Sequence, residues 1–235
     1  MKADLHIHSL LSPCGDIEMT PFNIVTKALG KGLSVIGITD HNSTLQCAEI
    51  VRIASREGLF VLCGAEITTK EEVHVLAFVD GESNLTKLQN YLNDHLPRVL
   101  NNTDVFGYQL VVNEKEEVLY QEDCLLISAL DQTIEEVEQF INTLNGIFIP
   151  AHIDKKQNSV MSQLGFMPPG LKPDALELSP GTNAEIFRSK NKYLSGFNLI
   201  HSSDAHYLED IGRVYTDIPV KELSFEGIKI ALNSN

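Results

Sequence analysis

Wholly apolar runs of strand length alternate with helix-patterned segments along almost the entire chain, and that rhythm leaves few folds open. The runs 33–39, 59–67, 73–79 and 146–151 read as strands, joined by shorter ones over 2–5, 174–178, 197–200 and 214–218. Strands that are apolar throughout are covered on both faces. Helices are expected between them. One opens at Pro21 behind a Thr20 cap and runs to about residue 31, and another follows from an Asn42 or Ser43 cap to about 57. Others cover 84–100, 133–144 (where Thr133 and Glu136 form a capping box) and 224–232. The rhythm fails only around 101–125, which reads as a small irregular insertion. The pattern predicts an α/β fold with a parallel sheet under helices. About seven such units suit a barrel better than a small open sheet, with the open doubly wound sheet as the alternative.

Eight histidines carry the chemistry, and most of them leave the ends of these strands. His6 and His8 follow the first strand as an HxH pair, Asp40 and His41 follow the second, and Glu66 lies near the end of the third. His152 closes the run ending at Ala151, and Asp204 and His206 form a DxH pair after the run ending at Ile200. In a barrel such ends converge on one face, where catalytic groups gather. Residues i and i+2 of an extended chain share a side, so both members of HxH or DxH reach one centre. Imidazole and carboxylate together suit zinc, manganese or iron. His74 fits least well, because it precedes its apolar run. His95, in mid-helix, reads as a surface residue, and His201 as structural.

Composition narrows the partners. Thirty-two acidic against 18 basic residues leave a net charge of −14, which argues against the basic stripe that a long nucleic acid needs. A short anionic substrate stays compatible, because bound cations reverse the field locally. No stretch is apolar and long enough to span a membrane. The four cysteines show no CxxC pair and read as reduced thiols, so a cytoplasmic location is expected. The oligomeric state leaves no trace in the sequence.

Asp4-Leu5-His6-Ile7-His8-Ser9, Ile38-Thr39-Asp40-His41-Asn42, Gly64-Ala65-Glu66, Pro150-Ala151-His152 and Ser202-Ser203-Asp204-Ala205-His206 resemble, in order, the motifs of the PHP (polymerase and histidinol phosphatase) family. The resemblance runs from residue 3 to about 215. It implies a single domain over 1–235, a distorted (β/α)7 barrel that holds two or three divalent metals and hydrolyses phosphoesters. By resemblance, His6, His8, Glu66 and Asp204 hold one metal. Glu66 bridges to a second, completed by His74 and His152. A third takes His41, His206 and one ligand from the loop after the first strand, for which Asp16 is the candidate and Cys14 the weaker substitute.

The expected reaction is attack of a metal-bridging hydroxide on the phosphorus of a small phosphorylated substrate or nucleotide. Glu66, Asp40 and His206 are the expected catalytic residues, with Asp40 orienting an imidazole or shuttling a proton. A cation for the phosphate is expected from Arg213, then Arg188, with Lys155 another candidate. A metal-dependent amidohydrolase and a non-catalytic metal-binding regulatory module are the alternatives.

Overall fold

The computed structural model describes residues 1–220 and 222–234. Its first half builds the expected units: β1 (Lys2–Ile7), α1 (Pro21–Gly30), β2 (Val35–Ile38), α2 (Cys47–Ala54), β3 (Phe60–Thr68) and β4 (His74–Val79). There follow α3 (Glu82–His95), a short α4 (Thr103–Phe106) and the hairpin β5 (Leu110–Val112) and β6 (Val118–Gln121), which is the irregular insertion. The second half holds α5 (Ile134–Thr143), β7 (Ile147–Pro150), α6 (Val160–Gln163), β8 (Leu176–Leu178) and α7 (Ala184–Lys190), then β9 (Leu199–His201), β10 (Thr216–Asp217) and α8 (Phe225–Asn233). Thr20 caps α1 through Asn23 N, and Thr133 and Glu136 close the predicted capping box on α5.

Six strands form one sheet in the order β10-β1-β2-β3-β4-β7. Hydrogen bonds beyond the regular ladders carry the circuit further. Asp174 N donates to Phe148 O and Ile153 N to Glu177 O, each at 2.9 Å, which sets β8 beside β7. β8 pairs in parallel with β9. The segment after β9 then returns to β1, where His8 N donates to Ala205 O (2.9 Å) and Ala205 N to His6 O (3.1 Å). β1, β2, β3, β4, β7, β8 and β9 thus curl into a half-barrel of the distorted seven-stranded kind, covered by helices.

Two expectations are corrected. The sheet is mixed: β4 runs antiparallel to β3 and β7, because five residues separate it from β3 and a parallel crossover needs a dozen or more. α2 starts at Cys47, not at an Asn42 or Ser43 cap. Asn42 sits at φ 44° and is committed elsewhere, its amide donating to the Leu126 and Ser128 carbonyls while its oxygen accepts from Thr68 N.

The core lies between sheet and helices. Ala3, Leu5, Val35, Leu62 and Ile149 pack with Ile218, Phe225, Ile228 and Leu232, so the C-terminal helix covers the same sheet that carries the HxH motif.

Candidate metal centre

Glu66 is the hub of the site. It lies near the carboxyl end of β3, is 1% exposed, and has both oxygens enclosed by imidazoles. Oε1 lies 2.9 Å from His74 Nδ1, 3.1 Å from His152 Nε2 and 3.3 Å from His6 Nε2. Oε2 lies 3.2 Å from His41 Nδ1 and 3.4 Å from His8 Nε2. Asp204 Oδ1 closes the ring, 3.4 Å from His6 Nε2 and 3.6 Å from His8 Nε2. His206, two residues on, stacks against His8 with ring centroids 4.2 Å apart.

The antiparallel direction of β4 explains how His74 joins. The register pairs Thr68 with His74, so the first residue of β4 lies beside the carboxyl end of β3. A residue that looked misplaced in the sequence is therefore at the same end as the others. His152 (φ 30°) and Asp204 (φ 53°) hold left-handed backbone, a strained conformation found where a structure holds functional groups in place.

Buried partners aim the rings. His6 Nδ1 donates to Glu177, at 3.0 Å from Oε2, and the same oxygen accepts from His152 N. His206 Nδ1 donates to the Asp204 carbonyl at 2.9 Å. Ser12 Oγ donates to Asp40 (2.7 Å) while accepting from His8 Nδ1 (3.0 Å) and from His41 N (3.1 Å). With each Nδ1 so engaged, His6 and His8 present their Nε2 atoms to one another at 3.1 Å. Two imidazole lone pairs at that distance require a cation between them. The buried Nδ1 atoms of His41 and His152 also lack a hydrogen-bond partner among the described residues. This donor set fits divalent metal ions.

The electrostatics agree. Burial holds His8 at a pKa of about 3 and His41 well below the ordinary imidazole value, so both rings are neutral donors at pH 7. Burial works against a charged His6 as well, but the Glu177, Asp204 and Glu66 carboxylates outweigh it and hold that pKa well above the ordinary value. Without a metal, the cation between the two Nε2 atoms is thus a proton on His6. Burial opposes ionisation of Glu66 and Asp204 too, yet the surrounding histidines keep both carboxyls well below the usual range.

His41, His74, His152, Asp204 and His206 line an open cleft of about 410 Å³ together with Cys14, Lys155, Gln157 and Asn158. Lys155 pairs with Asp204 Oδ2. The predicted His6, His8, His41, Glu66, His74, His152, Asp204 and His206 all converge here. Asp16 does not: its Oδ1 accepts from Glu18 N in a turn of its own, and Cys14 stands in the expected place. The cause is the tight fold of 9–19, where a Cβ on Gly15 would run into the Ser9 carbonyl. Arg213 and Arg188 are also absent from the cleft. Arg213 pairs with Asp210 in its own turn, and Arg188 donates to the Ser195 and Phe197 carbonyls. Asp40 makes no hydrogen bond or ion pair with an imidazole among the described residues. It accepts from Ser9 N, Ser9 Oγ and Ser12 Oγ, and so reaches His8 only through Ser12. Glu177 and Ser12 were missed by sequence reasoning; a lone acid inside Leu176–Leu178, an otherwise apolar strand, was the available signal for the first. No helix among the described residues is long and apolar enough to cross a membrane.

A PHP domain model matches residues 4–195, and a PHP-associated model matches 195–234, the region that supplies Asp204 and His206. An uncharacterized protein of Methanocaldococcus jannaschii is 39% identical over 79 residues, 30% of this chain and 46% of that protein. A 3',5'-nucleoside bisphosphate phosphatase of Chromobacterium violaceum is 32% identical over 76 residues, 32% of this chain and 26% of that one. Among solved structures, the lesion-specific endonuclease Q of Pyrococcus furiosus superposes with a TM-score of 0.73 at 21% identity, over 99% of this chain and 55% of that one. The chain thus spans less than two thirds of the length of each of these three proteins.

Endonuclease Q has also been solved with a 27-mer duplex carrying an abasic lesion at its active site, and that complex matches 98% of this chain and 56% of that chain with a TM-score of 0.73 at 21% identity. It overturns the expectation that a long nucleic acid is an unlikely partner. A net charge of −14 is a sum over the whole surface, whereas strand binding follows the local field, which cations in a cleft reverse.

Proposed function

The chain belongs to the PHP domain family, and on that premise we propose that it is a metal-dependent phosphoesterase acting on the phosphate ester of a nucleotide, free or within a strand. The observation that carries this reading is Glu66, buried with both oxygens facing five imidazoles. His6, His8, Glu66 and Asp204 would hold one divalent ion, and Glu66, His74 and His152 a second. Ions there would neutralise the charge gathering on the phosphoryl oxygens and lower the pKa of a bound water.

The chain's own residues do the rest. Glu177 and Ser12 fix the ring orientations of His6 and His8, so that Nε2 faces the centre. Asp40 is a positioning residue that anchors Ser12 and the loop after β1. Lys155 is the cation for the substrate: once Asp204 is engaged by a metal, its ammonium is free to meet a phosphate oxygen in the same cleft. The nucleotide substrate is supported by two relatives of different kinds, the bisphosphate phosphatase and the endonuclease.

A panel tests it. The chain is incubated with manganese or zinc and a nucleoside 3',5'-bisphosphate, a nucleoside monophosphate, an abasic duplex, or an N-acyl amino acid. The expected result is chelator-sensitive cleavage of a phosphate ester, lost in Glu66→Gln. Hydrolysis confined to the N-acyl compound, or no turnover with any of them, would overturn the reading.

A further inference from the structure

Three histidines and a cysteine come together at the outer side of the centre. One ligand atom from each of His8, Cys14, His41 and His206 lies within 4.8 Å of all the others. His8 is already committed on both nitrogens, to Ser12 and towards His6. The groups left over are the Cys14 sulfur, His41 and the His206 ring, whose Nδ1 proton sits on the Asp204 carbonyl and leaves Nε2 open. His41 is 6% exposed, and its Nδ1, 3.2 Å from Glu66 Oε2, makes no hydrogen bond among the described residues.

We infer that Cys14, through its thiolate, completes a metal position with His41 and His206, and that this position takes a borderline-soft cation such as zinc ahead of manganese or magnesium. One thiolate with two imidazoles is a donor set that suits zinc and cobalt, whereas manganese and magnesium favour oxygen donors. Three protein ligands also leave a fourth place open, as in zinc sites that engage a substrate or a water. The loop gives the thiol this position by its own geometry. Gly15 N donates to Ser12 O (2.9 Å) and Asp16 N to His206 O (2.9 Å), so the chain turns tightly after Ser12 and is tied to the very segment that carries His206. Asp16 is left in the next turn, facing Glu18 N.

The inference rests on the metal-centre reading above, and the test separates the two. X-ray absorption at the zinc edge is measured on the full chain loaded with zinc. A sulfur shell at about 2.3 Å is expected beside the nitrogen and oxygen shell, with the sulfur lost in Cys14→Ser. Loading with cobalt gives a second readout: a sulfur-to-cobalt charge-transfer band in the near ultraviolet for the wild type, absent from Cys14→Ser. Bound zinc surrounded by nitrogen and oxygen alone, with no cobalt band, would overturn the thiolate position and leave the rest of the centre standing. A sulfur shell that survives Cys14→Ser would overturn it too, by assigning the ligand to another cysteine. Failure to bind zinc or cobalt at all would sink both readings together.

Discussion

At the level of single residues, the orientation of each imidazole decides what the centre can hold. Glu177 carries two of these restraints, on His6 Nδ1 and on the His152 backbone. Glu177→Gln, by weakening both, is expected to lower metal affinity about 10–100-fold, read by competition with a chromophoric chelator. His6 adds a pH dependence. Its proton must leave before a metal can use Nε2, and burial beside carboxylates pushes the Cys14 thiol up to about 12, so loading at pH 7 is expected to release one proton from His6 and a second wherever Cys14 binds. Affinity should therefore rise with pH while these groups still hold their protons. Calorimetry in two buffers of different ionisation enthalpy measures the release, and identical apparent enthalpies would contradict it. The ligands were legible because HxH, DxH and Asp-His declare themselves by spacing. Glu177 and Ser12 did not, since their roles depend on what lies across the barrel, and Lys155 stood behind two arginines as a candidate cation although it is the one that lines the cleft. Arg213 failed for the converse reason: a cation near in sequence was taken up by its own turn at Asp210.

The elements explain the remaining discrepancies. Apolar patterning identified nearly every strand, but it carries no direction, so the antiparallel course of β4 and the correct place of His74 stayed hidden. A five-residue connection from β3 was the clue. Short helices α6 and α7 were not anticipated, because four and seven residues give too little periodicity to detect. Caps were more reliable. Thr133→Ala removes one half of the capping box on α5 and is expected to cost about 1 kcal/mol in urea unfolding, with metal binding unchanged. The loop after β1 is less tolerant. Gly15→Ala has no room for its methyl group against the Ser9 carbonyl, and the displaced loop should loosen both Ser12 and Cys14. A loss of metal without loss of helical circular dichroism is the expected result.

On the scale of the whole molecule, the barrel brings groups from residue 6 to residue 206 into one cleft, so the metals tie distant parts of the chain together. Ions that bind only the folded chain stabilise it by about 2.7 kcal/mol at a hundredfold excess over the dissociation constant. Chelation is accordingly expected to lower the midpoint of thermal unfolding while leaving the fold intact, and an unchanged midpoint would argue against a metal centre of this size. Net charge is a poor guide at this scale: a protein of the same fold, endonuclease Q, holds a duplex at its active site. The most direct measurement is anomalous diffraction from crystals of the chain grown with manganese or zinc. Density peaks are expected between Glu66 and the rings of His6, His8, His74 and His152. Peaks only at surface carboxylates, with those side chains ordered and bare, would contradict the metal-centre reading.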